Sequence, residues 1–327
     1  MNKTYLFITA LFVLIFMSCQ SRKKNNAEKQ NEIELVAEKQ LVFPLDEQTY
    51  YLSKSMFQFE ENGKEYLHFE NTRKSLYDIV IFDIENKQIA KRIPLHKTGP
   101  NGLPAVYGSR PSPDSKQILI SQNNIGRLST INNQGEVVHN YPVKTPEGRF
   151  TTFFFCSYYN APAFVKDSCI FLNQGIFKPN MKREDWPQTH MFASQNLETG
   201  KFEWVPIFYP PIFKEEYENI DGGYGFSYDY NYKESRLVCG FFGYDSLMVT
   251  DDLKHIRWYN AKSKYLKSMK PKLGNAMAGI NSIIEFCEAP MYWHIMYDKY
   301  RDVYYRFAEM PYKLAPNESP YDEPKGK

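Results

Sequence analysis

The stretch Tyr77 to Leu95, YDIVIFDIENKQIAKRIPL, constrains the fold most, because it is a complete β-hairpin whose outline returns three more times. Asp78 to Asp83 is a dense apolar run with β-branched residues, the pattern of a strand covered on both faces. The polar DIENKQ that follows has turn chemistry. Ile89 to Leu95 is a second, more amphipathic strand that stops at Ile93-Pro94-Leu95, where proline removes a ladder donor. This C/D hairpin recurs as Arg127 to Val143, His190 to Ile207 and Ser246 to Tyr259, with turns starting at 83, 132, 196 and 251. Three copies close on one phrase: Ile93-Pro94-Leu95, Tyr141-Pro142-Val143 and Val205-Pro206-Ile207.

A second hairpin, A/B, precedes each of these. It reads Phe57 to Phe69 around Asn62-Gly63, Ser109 to Ser121 around Pro113-Asp114-Ser115, Ala161 to Leu172 around Lys166-Asp167, and Phe226 to Phe242 around Lys233-Glu234. A fifth copy, Tyr292 to Phe307 around Asp298-Lys299, has no C/D partner after it. Two hairpins per unit make four antiparallel strands, and such a unit repeating at about 40 to 60 residues predicts an all-β fold, a β-propeller of four-stranded blades. Tyr 25 and Phe 24 in 327 residues agree, since aromatics favour strands and supply large buried areas.

The ends bear on how many blades there are. Gln40 to Leu45 carries the Phe43-Pro44-Leu45 phrase that otherwise ends a blade, and predicts that residues 41–45 supply the outermost strand of the last blade. Residues 315–327 are polar and Pro-rich, a tail or inter-strand loop rather than a strand. The propeller therefore spans 39–314 with its fifth blade half written, and a six-bladed ring lacks one to one and a half blades, roughly 60 residues. The competing reading is a five-bladed ring with a short last blade.

Residues 1–18 read as a signal peptide: Lys3 gives the positive start, Tyr5 to Met17 is too short an apolar run to span a bilayer, and Ser18 precedes the cut. The cut falls before Cys19, and Phe16-Met17-Ser18-Cys19 resembles a bacterial lipobox, with Phe16 in place of the usual aliphatic residue. Cys19 is then the acylated anchor, and residues 19–38, charged and poor in aromatics, form a flexible tether. Gln20 onward carries no acidic retention signal, which points to the outer membrane, facing the periplasm or the cell surface. The other cysteines, Cys156, Cys169, Cys239 and Cys287, each adjoin an apolar run and read as free core thiols.

A formal charge of +2 excludes a global field for nucleic acid. No GxSxG, HExxH, Walker or Rossmann pattern occurs, and the six histidines are scattered, so no catalytic residue, metal or cofactor is predicted. Asp229-Tyr230-Asn231 resembles the opening of a calcium loop, but Lys233 places a positive charge where a ligand is needed. Two places carry binding chemistry. The loop His96 to Gly102, HKTGPNG, crosses an end of the ring near the channel, and Gly99, Asn101 and Gly102 present backbone amides there; the plainer reading is a sharp turn. Tyr304, Tyr305 and Arg306 crowd into the fifth hairpin, as aromatic faces with an arginine fork for a sugar or a carboxylate, or else as packing between blades.

The lipobox, the tether, the HKTGPNG loop, Lys262-Ser263-Lys264-Tyr265 and Tyr304-Tyr305-Arg306-Phe307 together resemble the uncharacterised propeller lipoproteins of the Bacteroidota grouped as domain of unknown function 4221. The resemblance covers about Leu41 to Pro311; it implies a fold and an address, and no catalytic residue. The expectation is a lipid-anchored, non-catalytic propeller that binds a protein or glycan partner on one end of the ring, with a polysaccharide hydrolase or lyase as the alternative.

Overall fold

A computed structural model describes residues 42–49, 56–73, 76–112, 114–122, 126–143, 154–155, 157–158, 161–174, 188–210, 226–266 and 290–310. The leader, Cys19, the tether, Cys156, Cys287 and residues 315–327 lie outside them. The chain divides into two units, Met1–Val42 and Phe43–Lys327, and every sheet belongs to the second.

The first sheet is β1 (Phe57–Glu61), β2 (Lys64–Arg73), β3 (Leu76–Asp83) and β4 (Gln88–Pro94), paired antiparallel in that order. The second repeats the order with β5 (Gly108–Pro111), β6 (Ile118–Gln122), β7 (Arg127–Ile131) and β8 (Val137–Pro142). Three two-residue strands follow, β9 (Phe154–Phe155), β10 (Ser157–Tyr158) and β11 (Ala161–Pro162); β10 pairs with β11, and β9 joins the third sheet. That sheet is β12 (Phe164–Lys166), β13 (Cys169–Gln174), β14 (Phe192–Asn196) and β15 (Phe202–Trp204). The fourth is β16 (Phe226–Asn231), β17 (Arg236–Phe241), β18 (Ser246–Thr250) and β19 (Arg257–Asn260), and the last described element is the two-stranded hairpin β20 (Met291–Asp298) and β21 (Val303–Glu309).

The strands of the second, third and fourth sheets are apolar on both faces because each of these sheets packs between two others. Strand alternation sends His68, Ile79, Ile81 and Ile93 to one face of the first sheet and Leu67, Phe69, Val80 and Phe82 to the other. Ile79, Ile93, Leu95 and Leu103 meet Ile118, Ile120 and Ile131 of the second sheet. On that sheet's far face Leu119, Leu128 and Tyr141 meet Ile170, Leu172 and Ala193 of the third. Phe164 and Phe192 then meet Tyr228, Leu237, Cys239 and Met248 of the fourth, with Phe164 stacked on Tyr230 at 4.4 Å. Val238 and Val249 close against Ile295 and Tyr304. Each fully buried side chain of this size contributes about 1.5–3 kcal/mol, so the seams between sheets hold the fold together.

Close approach fixes two glycines. Gly135 has φ +82, and a Cβ there would lie 2.1 Å from the Pro94 carbonyl oxygen; at Gly240 it would lie 2.9 Å from Ile295 Cγ1. Cys239 is buried and free, Cys169 half-buried and free.

One expectation fails. Among the described residues, 42–46 form no ladder and pair with neither strand of the last hairpin. Phe43 instead sets its ring edge-on to Phe82 at 5.2 Å, against Phe69, Val80 and Ile89. Residues 46–49 follow on the same sheet, where Arg92 bridges Asp46 (2.5 Å) and Asp78 (2.7 Å). The cause is the free apolar face of the first sheet: burying a phenyl ring there gains more than a ladder bond whose next donor is missing at Pro44.

Candidate functional site

The five A/B turns converge at one end, around the innermost strands β1, β5, β12, β16 and β20. Arg110 of β5 donates from Nη2 to the Tyr232 hydroxyl at the end of β16 (3.4 Å), and Val165 N of β12 donates to the same oxygen (3.3 Å). The Arg110 guanidinium also stands 5.3 Å over the Phe57 ring of β1. Lys233 pairs with Asp302 across the fourth and fifth turns at 3.3 Å. Lys299 reaches Glu60 (3.4 Å) and Glu65 (3.1 Å), and the Tyr300 hydroxyl donates to Glu65, which holds that carboxyl below the usual range. The contacts thus return from the fifth hairpin to the first sheet. Exposed pairs of this kind contribute little stability each, so their arrangement matters more than their sum.

Arg110 is the centre of this end. Its Nη1 has no hydrogen-bond partner among the described residues. Asp229 feels its charge, yet the Asp229 carboxylate is engaged by the amides of Tyr230 and Tyr297, each at 2.8 Å. Burial raises the Asp229 pKa, and those two amides and Arg110 oppose it. Among the described residues no group of three or more His, Cys, Asp or Glu is placed to hold a metal ion.

A buried polar chain lies at the seam between the first two sheets. His68 Nε2 is 2.8 Å from Ser109 Oγ, and both residues are fully buried. Ser109 also hydrogen-bonds Glu70 through side chain and backbone. Burial lifts the Glu70 carboxyl to about 7 against those bonds and lowers His68 to about 3, helped by Arg110. His68 therefore stays neutral at any physiological pH. Beside His68 is a cleft of ≈ 200 Å³.

The residues predicted from sequence go elsewhere. The His96 to Gly102 loop lies by the outer strands, not the channel: Asn101 Oδ1 accepts from Val137 N of β8 at 3.1 Å. Gly102 N donates to Gly99 O (2.9 Å) and Leu103 N to His96 O (2.6 Å), so these amides close the turn. Gly99, with φ +87, supplies the turn conformation.

Strand alternation separates the Tyr304, Tyr305 and Arg306 cluster. Tyr304 and Arg306 face the fourth sheet, while Tyr305 faces the other way with its cross-strand partner Met296. Arg306 Nη1 donates to Asp245 O (2.7 Å) and Ala261 O (3.2 Å), and Nη2 to Tyr244 O and Phe241 O. Its guanidinium lies 3.2 Å from the Tyr292 ring centroid, and burial depresses its pKa to about 10. It is a staple between sheets, its two terminal nitrogens engaged by backbone carbonyls. The Asp229-Tyr230-Asn231 segment is an Asx turn, with Asn231 Oδ1 accepting from Lys233 N (2.9 Å) and Glu234 N (3.2 Å).

Sequence reasoning missed Arg110, Tyr232, His68, Glu70 and Ser109. One signal was available for two of them: in Tyr66-Leu67-His68-Phe69-Glu70, two polar residues share one face of a strand whose other face is apolar.

Serially packed four-stranded antiparallel sheets with their inner turns gathered at one end define an all-β, propeller-like protein. The chain belongs to the family described as a domain of unknown function, DUF4221, whose profile matches residues 32–326. It is 84% identical to a member of that family from Bacteroides vulgatus known from a crystal structure, with a TM-score of 0.83 over 91% of this chain and 82% of that one. A putative exported protein from Bacteroides fragilis is 9% identical with a TM-score of 0.46, over 82% of this chain and 74% of that one, too distant to carry an argument. No curated protein matches.

Proposed function

We propose that this protein is an outer-membrane lipoprotein, anchored through acyl chains on Cys19, whose six-bladed propeller binds a protein or glycan partner at its axial end without catalysis. The observation that carries the binding reading is the meeting of Arg110, Tyr232, Phe57 and the Val165 amide from four A/B hairpins, with the fifth tied in through Lys233–Asp302 and Lys299–Glu65, and with Tyr232 and Tyr300 48% and 67% exposed. An exposed tyrosine beside an arginine that has no carboxylate partner among the described residues is the composition of a recognition surface. Support for a further blade is the flank of the last hairpin, where Met296, Val303 and Phe307 are about two-fifths exposed on a face that another sheet would cover.

The test compares the full, anchored protein with Tyr232→Ala and Arg110→Ala in chemical cross-linking on intact cells. A partner that cross-links to the wild type and is lost from both variants supports the reading; identical cross-links from all three refute the axial site. Labelled palmitate that still enters Cys19→Ser refutes the anchor.

A further inference from the structure

We propose that the cleft between the first two sheets is a binding site for one neutral, hydroxyl-rich ring of hexose size, read through His68 Nδ1. Arg110 and Tyr232 do not line this cleft, and the proposal does not depend on their reading.

Four observations carry it. The cleft of ≈ 200 Å³ holds a single pyranose ring and little more, and it is lined by Phe59, Tyr66, His68 and Lys91 from the first sheet and Ser115 and Asn133 from the second. Phe59 and Tyr66 are cross-strand partners with rings stacked at 5.5 Å and 26°, an apolar wall for the C–H face of a sugar. Glu61 and Lys91 put one charge of each sign on the lining, so it selects no net charge.

The fourth observation is His68. The side chain is fully buried, its Nε2 is engaged by Ser109, and its Nδ1 has no hydrogen-bond partner among the described residues, although the residue lines the cleft. A buried polar nitrogen without a partner is costly, so its match in a ligand is selective.

The chain behind it says which match. With Glu70 ionised, the Ser109 hydroxyl donates to the carboxylate and accepts from Nε2–H, leaving Nδ1 as an acceptor. With Glu70 protonated, Ser109 accepts from the acid and is free to donate to Nε2, the arrangement in which Nδ1 carries the proton. Only a group that both donates and accepts suits both states. A hydroxyl does so; a carboxylate and an ammonium do not.

The test uses the full chain in detergent with D-glucose, D-galactose, D-mannose, N-acetylglucosamine and acetate, followed by saturation-transfer NMR and calorimetry. The variants are His68→Phe, which keeps a ring in the seam, and Asn133→Ala, half-buried in a turn of the second sheet. The expected result is saturable binding of at least one sugar and none of acetate, with affinity falling tenfold or more in His68→Phe and severalfold in Asn133→Ala. The ¹⁵N resonance of Nδ1 moves on saturation of the wild type. Absence of binding by every sugar, equal binding by all three proteins, an unmoved Nδ1 resonance, or binding of acetate alone overturns the proposal, including the case in which Nδ1 meets only a water. Loss of sugar binding with intact axial cross-links, or the reverse, keeps the two sites distinct.

Discussion

Replacing Glu70 with glutamine should change the pH dependence of stability in a way that isolates the seam. In the folded protein the Glu70 carboxyl sits at about 7 against an ordinary 4.5, and His68 at about 3 against 6.5. Between pH 4.5 and 6.5 the native state therefore holds one proton more than the unfolded chain at Glu70 and one fewer at His68. The raised carboxyl contributes stability that is full below 4.5 and lost as pH climbs to 7. The depressed imidazole contributes stability that is full above 6.5 and lost as pH falls to 3. In the wild type the two slopes cancel across the shared window.

Glu70→Gln removes only the first. Its stability should rise by about 1.4 kcal/mol per pH unit between 4.5 and 6.5 relative to the wild type, reaching an advantage of about 3 kcal/mol above pH 7 and vanishing near pH 4.5. Other ionising groups are common to both proteins, so the difference curve isolates this carboxyl. Equilibrium urea unfolding at half-unit steps from pH 4.5 to 7.5 measures it. Parallel curves would show that Glu70 ionises freely in the folded protein, and the account of the buried chain would fall.

Three further outcomes follow from the packing. Arg306→Ala removes four donated bonds to carbonyls at the edge of the fourth sheet and should cost about 3 kcal/mol or more in equilibrium unfolding, with Arg306→Lys restoring only part because the planar fork is lost; a cost under about 1 kcal/mol contradicts the staple. Gly135→Ala forces a Cβ onto the Pro94 carbonyl at positive φ and should cost about 1–3 kcal/mol, seen as a lower denaturation midpoint at unchanged slope. Tyr304→Ala should cost about 3 kcal/mol by opening the seam to the fourth sheet, whereas Tyr305→Ala on the opposite face should stay within about 1 kcal/mol; equal losses would mean the strand register is wrong.

Hairpins were legible because their determinants are local. Asn62-Gly63, Asn132 to Gly135 and Asn196 to Gly200 are turn sequences between apolar runs, and each forms the turn its chemistry requires, with Gly63, Gly135 and Gly200 at positive φ. The doubly apolar strands announced sheets covered on both sides, and the seams through Ile79 and Ile120 or Phe164 and Tyr228 are that covering. The binding chemistry was not legible. Tyr304, Tyr305 and Arg306 are adjacent in the chain, which in a strand puts them on opposite faces. Arg110 and Tyr232 are 122 residues apart and meet only because inner strands share an axis.

By itself the sequence determined the repeating unit, its turn types and its two-sided burial, since period-two alternation and Asx or Gly turns act over a few residues. Only the tertiary structure decided that Phe43 caps the first sheet, that His68, Ser109 and Glu70 form one buried chain, and that Arg110 and Tyr232 face each other. Those depend on which strand lies beside which in space, and distance between sheets leaves no mark on local composition.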